Sequence, residues 1–242
     1  MGSLIFDGHD IGLLCAYGDP VISILNSSVD YADAKNRNGS IVLGKTWGNS
    51  SVSFSVGLSG QAQDRRNRLS TLGVWLNVDE PKKLVLPDTP DRYYLAIPEG
   101  ELQLERGVHS DIGQLTFTLV DPIAYGAEKS VWVPYSGSVT FVVGGTAPTL
   151  PYFNRTLERP DQTTKQWGLR LDGDDVFVMD FGTTSNCYIK ADFSKGVAFL
   201  NDNIKMPTLN SDWFKLTPGE HTIENHIGGG NDLRLRWVER WL

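Results

Sequence analysis

Residues 51–58 read Ser-Val-Ser-Phe-Ser-Val-Gly-Leu, and every second one is apolar. Side chains alternate faces along an extended chain, so Val52, Phe54, Val56 and Leu58 line one side and Ser51, Ser53, Ser55 and Gly57 the other. The pattern predicts a strand with one buried face. Working outward, the same period of two recurs in Asp232–Trp237, where Leu233, Leu235 and Trp237 oppose Asp232, Arg234 and Arg236, and in Ser138–Val143. Arg92–Ile97, Glu101–Arg106, Gln114–Val120, Trp167–Leu171, Val176–Phe181 and Cys187–Ala191 read as further strands between Gly, Asp and Pro punctuation. Many short strands at such spacing predict sandwiches.

One segment departs from this period. In Gln61–Leu76, Leu69, Leu72, Trp75 and Leu76 recur at helical spacing while Arg65, Arg66 and Arg68 occupy other faces. This predicts an amphipathic helix of about four turns, capped by Ser59 and ended by Asn77 with Pro81. With no second helix to cover it, its Leu/Trp stripe has to lie on a sheet. The run Tyr31–Asn49 is polar apart from Ile41–Leu43, and Asn38-Gly39 offers a turn that tolerates positive φ. It predicts a hairpin arm with too little apolar content to bury itself, and so one that is either mobile or held against another subunit. Its candidate contact residues are Tyr31, Asn38, Gly39, Ile41, Leu43 and Trp47. Asp121-Pro122 closes the last strand of the first half, which places a domain boundary near Ala127. Residues 1–127 form one domain and residues 128–242 an all-β sandwich.

The chain has 242 residues, 40% hydrophobic and 21% charged, with a formal net charge of −7. That composition suits globular domains and not a disordered, collagen-like or coiled-coil chain. The acid excess is spread over both halves, which disfavours tight sequence-independent binding of DNA or RNA. Cys15 and Cys187 fit neither a CxxC nor a Cys/His spacing, so two reduced, partly buried thiols are expected. The opening stretch MGSLIFDGHDIGLLCAYG has no basic leader and does not read as a signal peptide. No run approaches the ~18 apolar residues of a membrane helix, so the expectation is a soluble chain made in a reducing cytoplasm.

Candidate chemistry is sparse. G-x-S-x-G, Walker, H-E-x-x-H and G-x-G-x-x-G signatures are missing. Gly228-Gly229-Gly230 lacks the Lys-Ser/Thr pair of a phosphate loop and reads as a hairpin turn. Asp172, Asp174 and Asp175 could recruit calcium through oxygen ligands, but Asp-Gly between Leu171 and Val176 reads first as a hairpin tip. His221 and His226 sit on a strand and its following turn, so their side chains diverge and metal ligation is not expected. Glu99/Glu101 and Glu220/Glu224 are carboxylate pairs of the type glycosidases use, yet sequence neighbours do not show a separation across a cleft. Tyr152, Trp167, Tyr188, Trp213 and Trp237 could offer rings to sugars, with Trp167 and Trp213 the leading glycan contacts, although core packing accounts for each as well. No cofactor or metal is expected.

The order of strand 51–58 and helix 61–76, followed by LNVDEPKKLVLPDTPDRYYLAIPEGELQLER (76–106) and GQLTFTLVDPIAYG (113–126), closely resembles the N-terminal domain of the phage distal tail protein family. The most telling pieces are Trp75-Leu76-Asn77 leading to Glu80-Pro81, Pro90-Asp91-Arg92-Tyr93-Tyr94, and Asp121-Pro122 with Tyr125. The closing DWFKLTPGEHTIEN (212–225) and DLRLRWVERWL (232–242) resemble the end of that family's C-terminal sandwich. The resemblance implies a mainly β protein with an N-terminal β-sandwich, one packed helix, an extended hairpin arm, and a C-terminal galectin-like or carbohydrate-module-like sandwich. It implies a structural virion component and not an enzyme: a homohexameric ring joining the major tail tube protein to the tail-tip or tail-associated lysin protein, with DNA passing through its lumen. Such a protein belongs at the tail tip, and in the host cytoplasm during assembly. The alternatives are an adhesion module touching host cell-wall glycans and a cell-wall glycosidase.

Overall fold

The computed structural model describes residues 2–242 apart from 24–25, 34–37, 101, 158–164, 183–185, 210 and 228–230; at Trp47, Asp175, His226 and Ile227 it describes the backbone alone. The expected glycine turn at Gly228-Gly229-Gly230, and the side chains of Glu101, Asp175 and His226, therefore lie outside the described residues. Contacts divide the chain into two compact units, Met1–Ala124 and Tyr125–Leu242.

The first unit runs β1 (Ile5–Phe6), β2 (His9–Asp10), β3 (Ala16–Tyr17), β4 (Val21–Ser23), β5 (Ser27–Asp33), β6 (Ser40–Trp47), β7 (Ser50–Ser59), α1 (Ala62–Leu76), β8 (Lys82–Val85), β9 (Tyr94–Pro98), β10 (Leu104–Arg106) and β11 (Ser110–Leu119). β7 contains the stretch whose alternation predicted it, and Val52, Phe54, Val56 and Leu58 are all buried. Apart from the β5–β6 pair, the strands form one nine-stranded sheet in the order β2-β1-β8-β9-β11-β7-β3, with β10 on β11 and β4 on β7. Three strand spacings separate β1 from β11, about 14 Å in a flat sheet. Yet the rings of Phe6 and Phe117 stand 5.1 Å apart. The sheet is therefore curled, and Tyr17 on its last strand closes it by donating 3.3 Å to the Gly2 carbonyl and accepting 3.1 Å from the Leu4 N–H. One curled sheet supplies both layers of the N-terminal sandwich. Full burial of Phe6, Phe54 and Phe117 contributes about 1.5–3 kcal/mol each.

Helix α1 lies on this core through buried Leu72 and half-buried Leu69 and Leu76. Two expectations need correction. Ser59 does not cap the helix, because it is still the last residue of β7, paired with Ser110; the N-cap is Gln61, which makes no side-chain capping bond. Arg65 is not on a solvent face either. It is buried, with Nε 3.1 Å from Asp111 Oδ2 and Nη1 donating to the Gly60 carbonyl at 2.7 Å. A helical wheel places a residue by type, and this guanidinium is inside because the β10–β11 turn brings an acid and carbonyls to it.

The second unit runs β12 (Ala124–Val133), β13 (Ser138–Val143), β14 (Tyr152–Leu157), β15 (Gln166–Leu171), β16 (Asp174–Asp180), β17 (Cys187–Asp192), β18 (Val197–Leu200), β19 (Asn203–Ile204), β20 (Gly219–Ile227) and β21 (Leu233–Trp241). They form a six-stranded sheet, β12-β21-β14-β17-β18-β19, and a four-stranded sheet, β13-β20-β15-β16. Both contribute to one core, in which Phe153, Phe177, Phe193 and Phe214 pack ring against ring beside Trp167 and Trp213. This is a two-layer antiparallel sandwich. Cys15 and Cys187 are free and buried.

Candidate self-assembly interface

The arm begins inside the sheet. β4 pairs with β7 so that Ser23 lies opposite Ser51, and four residues further out the same register pairs Ser27 of β5 with Trp47 of β6. The arm is thus the β4–β7 ribbon carried beyond the sheet. Its root is fixed by Asn26, whose carbonyl accepts from Gly48 N–H at 2.6 Å and whose side-chain amide donates to the Asn49 carbonyl at 3.0 Å. Along it, Ser28 and Thr46 hydroxyls meet at 2.7 Å and Ser40 donates to Asp33 Oδ1 at 2.9 Å. The register slips between Asp30 and Tyr31, leaving Leu43 without a cross-strand partner, a bulge that bends and twists the ribbon.

No described side chain of β5 or β6 is buried. Tyr31 is 63% exposed, Val42 opposite it 60% and the bulged Leu43 68%. Ile41 is exposed as well, and Asn38 and Gly39 lie at the turn, where Gly39 adopts a φ of +87°. Of the six residues singled out in the sequence, Tyr31, Ile41 and Leu43 offer exposed side chains on the strands; Trp47 is at the root, its side chain outside the described ones. Val42 was missed. It lies inside the Ile41–Leu43 run, opposite Tyr31 and next to the bulged Leu43. The arm starts at Ser27, earlier than Tyr31, because Ser27–Asp30 carry no apolar run to mark a strand.

The other candidates resolve into structure. Asp172-Gly173 is the two-residue turn between β15 and β16, both residues at positive φ, and Asp172 is held by His221 and by the Thr222 N–H. Among the described residues no cluster of three or more His, Cys, Asp or Glu could hold a metal. Glu220 and Glu224 lie four apart on one strand, hence on one face, and Glu224 is ion-paired to Arg170 at 2.9 Å. They do not oppose each other across a cleft. Trp167 is fully buried, its Nε1 donating to Asn225 Oδ1 at 3.1 Å, so it cannot meet a glycan. Trp213 is half-buried between Phe177 and Phe193, and Trp237 is buried. Trp167 and Trp237 are inward residues of β15 and β21, and Trp213, on the segment before β20, packs into the same core.

Comparison with known proteins agrees with this architecture. Residues 7–120 match the phage tail protein RIFT-related domain, and residues 144–241 match the C-terminal domain of the siphovirus-type tail component. The crystal structure of the Dit (gp 19.1) protein of phage SPP1, described as a paradigm of the hub adsorption apparatus in phages infecting Gram-positive bacteria, superposes with a TM-score of 0.79 at 16% identity, covering 99% of each chain. A chain of the activated baseplate of phage P2 with calcium gives 0.48 at 9% identity, over 94% of this chain and 92% of that one. No curated protein matches the sequence. With both domain families present in order over most of its length and the whole fold shared with a Dit protein, the chain belongs to the siphovirus distal tail (Dit) family, the structural components of the siphophage tail.

Proposed function

We propose that this protein is the hub of the tail tip, six copies closing head to tail into a ring through the arm. In this reading residues 1–127 form the ring and residues 128–242 a peripheral galectin-like domain. The major tail tube protein stacks on one face and the tail-tip or tail-associated lysin protein on the other, and DNA crosses the lumen. The protein is structural and not catalytic, resident in the virion and present in the host cytoplasm only during assembly.

The observation that carries the reading is an arm with no cover of its own. A lone two-stranded ribbon is marginal in water, and both of its outer edges offer unpaired backbone groups. Laying it on a neighbour's sheet adds strand hydrogen bonds and covers Tyr31, Val42 and Leu43. A contact between different patches of identical chains closes into a ring when its rotation closes, and a durable one buries more than about 1,000 Å². The chain's acidic balance supports a conduit, since acidic walls repel a passing duplex.

Mass in solution and negative-stain images of the full chain test this, alone and mixed with the neighbouring tail proteins. A ring of six times 26.8 kDa is the expected result. A chain that stays monomeric in both conditions overturns the hub, and a ring that survives replacement of residues 31–49 by a short Gly-Ser turn overturns the role of the arm.

A further inference from the structure

The outward face of the six-stranded sheet carries three cations laid against aromatic rings. Across β21, β14, β17 and β18 the registers align, so that Arg234 lies opposite Asn154, Asn154 opposite Lys190, and Lys190 opposite Phe199. In the adjacent inward row Leu235, Phe153, Ala191 and Ala198 are buried, which turns the first row to the outside. One row further along this outer face, Tyr152 stands between Arg236 on β21 and Asp192 on β17. Each cation rests against a ring: Arg234 lies 5.8 Å from the centroid of Trp132, Arg236 5.8 Å from Tyr152, and Lys190 5.7 Å from Phe199.

None of these three cations is in an ion pair among the described residues. Arg234 forks onto the Ser130 hydroxyl at 3.2 and 3.1 Å, and Arg236 Nε is buried with no partner. The acids nearby are otherwise engaged, Glu128 by the Tyr152 hydroxyl and Asp192 by Lys195 and Ser194. In a chain of net charge −7, three cations beside only two carboxylates, Glu128 and Asp192, leave a local excess of positive charge.

We infer that this face binds an anionic polysaccharide, a glycan polymer bearing phosphate or carboxylate groups. A guanidinium laid on an aromatic ring loses little mobility on binding and keeps its in-plane donors for anion oxygens. Arg234 and Lys190 are two strands apart, about 10 Å, and Arg236 lies about 7 Å along the strand from Arg234. That spacing suits a polymer with separated charges. Between them Asn154 offers an amide donor and acceptor for sugar hydroxyls, and Trp132, 61% exposed, offers an apolar ring surface. A polynucleotide fits less well. Three charges on an acidic chain release few counterions from a phosphate backbone.

The test is biolayer interferometry of the full chain on immobilised poly(glycerol phosphate), polygalacturonate, dextran and single-stranded DNA, at low and physiological salt. Binding to one or both anionic polymers, weakening as salt rises and absent from dextran, is the expected result, and the preferred polymer identifies phosphate or carboxylate as the recognised group. R234Q/R236Q lowers that affinity about tenfold, as the loss of two partly exposed charge contacts should. K190Q, at an exposed position that cannot unfold the sheet, lowers it in the same direction. Failure to bind either anionic polymer, equal or tighter retention on DNA, or variants that bind as tightly as the parent overturns the inference.

Discussion

His221 is placed to donate from both ring nitrogens when protonated: Nδ1 lies 2.7 Å from Oδ2 of Asp172 while Nε2 lies 2.8 Å from the carbonyl oxygen of Thr217. A carbonyl can only accept, and the ionised Asp172 accepts too, so both partners favour the imidazolium, which donates from both nitrogens. Burial pulls the His221 pKa down, but the bonds to Asp172 and Thr217 outweigh it and the value is raised above 6.5. Burial likewise opposes ionisation of Asp172, but the Thr222 N–H and His221 prevail and lower its pKa below 3.8.

The pair makes stability depend on pH in a defined way. A raised histidine stabilises fully below its unfolded value and loses that contribution as pH rises through the folded value; a depressed aspartate stabilises above its unfolded value and loses its contribution as pH falls through the folded one. The contribution is therefore greatest between about pH 4 and 6.5 and fades toward alkaline pH. In thermal melts from pH 5 to 9, the midpoint for the second unit should fall at the alkaline end, and H221Q should flatten that slope. A slope unchanged in H221Q would refute the assignment.

Arg65 and Asp111 are buried together, with side chains 8% and 11% exposed. Removing one partner strands a charge, so D111A should cost about 3–5 kcal/mol in chemical denaturation of the full chain. A loss below about 1 kcal/mol would place the pair in the class of solvated surface bridges.

The arm residues should behave in the opposite manner. Tyr31 and Leu43 are exposed, so Y31D and L43D should change the stability of the isolated chain by less than about 0.5 kcal/mol. If the arm closes the ring, both should nevertheless prevent assembly, which sedimentation at matched concentrations would reveal.

Burial pushes the Cys15 thiol up to about 11, with only partial relief from Arg68, and raises Cys187 as well. Neither thiol should react with a disulfide reagent at pH 8 in the native protein, and both should react after unfolding. Prompt labelling of either in native buffer would contradict its burial.

Alternation made the sheets legible. Ser51–Leu58 and Ser138–Val143 could be read directly because one face of each strand meets a core and the other meets water, and the single helix stood out by its different period. Arg65, Val42 and Trp167 could not be read that way. A buried arginine depends on an acid and carbonyls delivered by the distant β10–β11 turn. A bulge changes which residues share a patch without changing composition. A tryptophan has the same apolar ring whether it faces a sugar or Phe153.

The face of Arg234, Lys190 and Arg236 shows the same division. Outward arginines on the last strand follow from its period of two. That Lys190 and Asn154, from strands far apart in the chain, stand in one row with Arg234 is set by the sheet order β21-β14-β17. Local periodicity thus determined which residues are inside, outside or on a helix, because burial acts on each strand separately. Which outside residues become neighbours was decided by tertiary structure alone, because strand order and register are fixed by the packing of the whole core and leave no mark in any one segment.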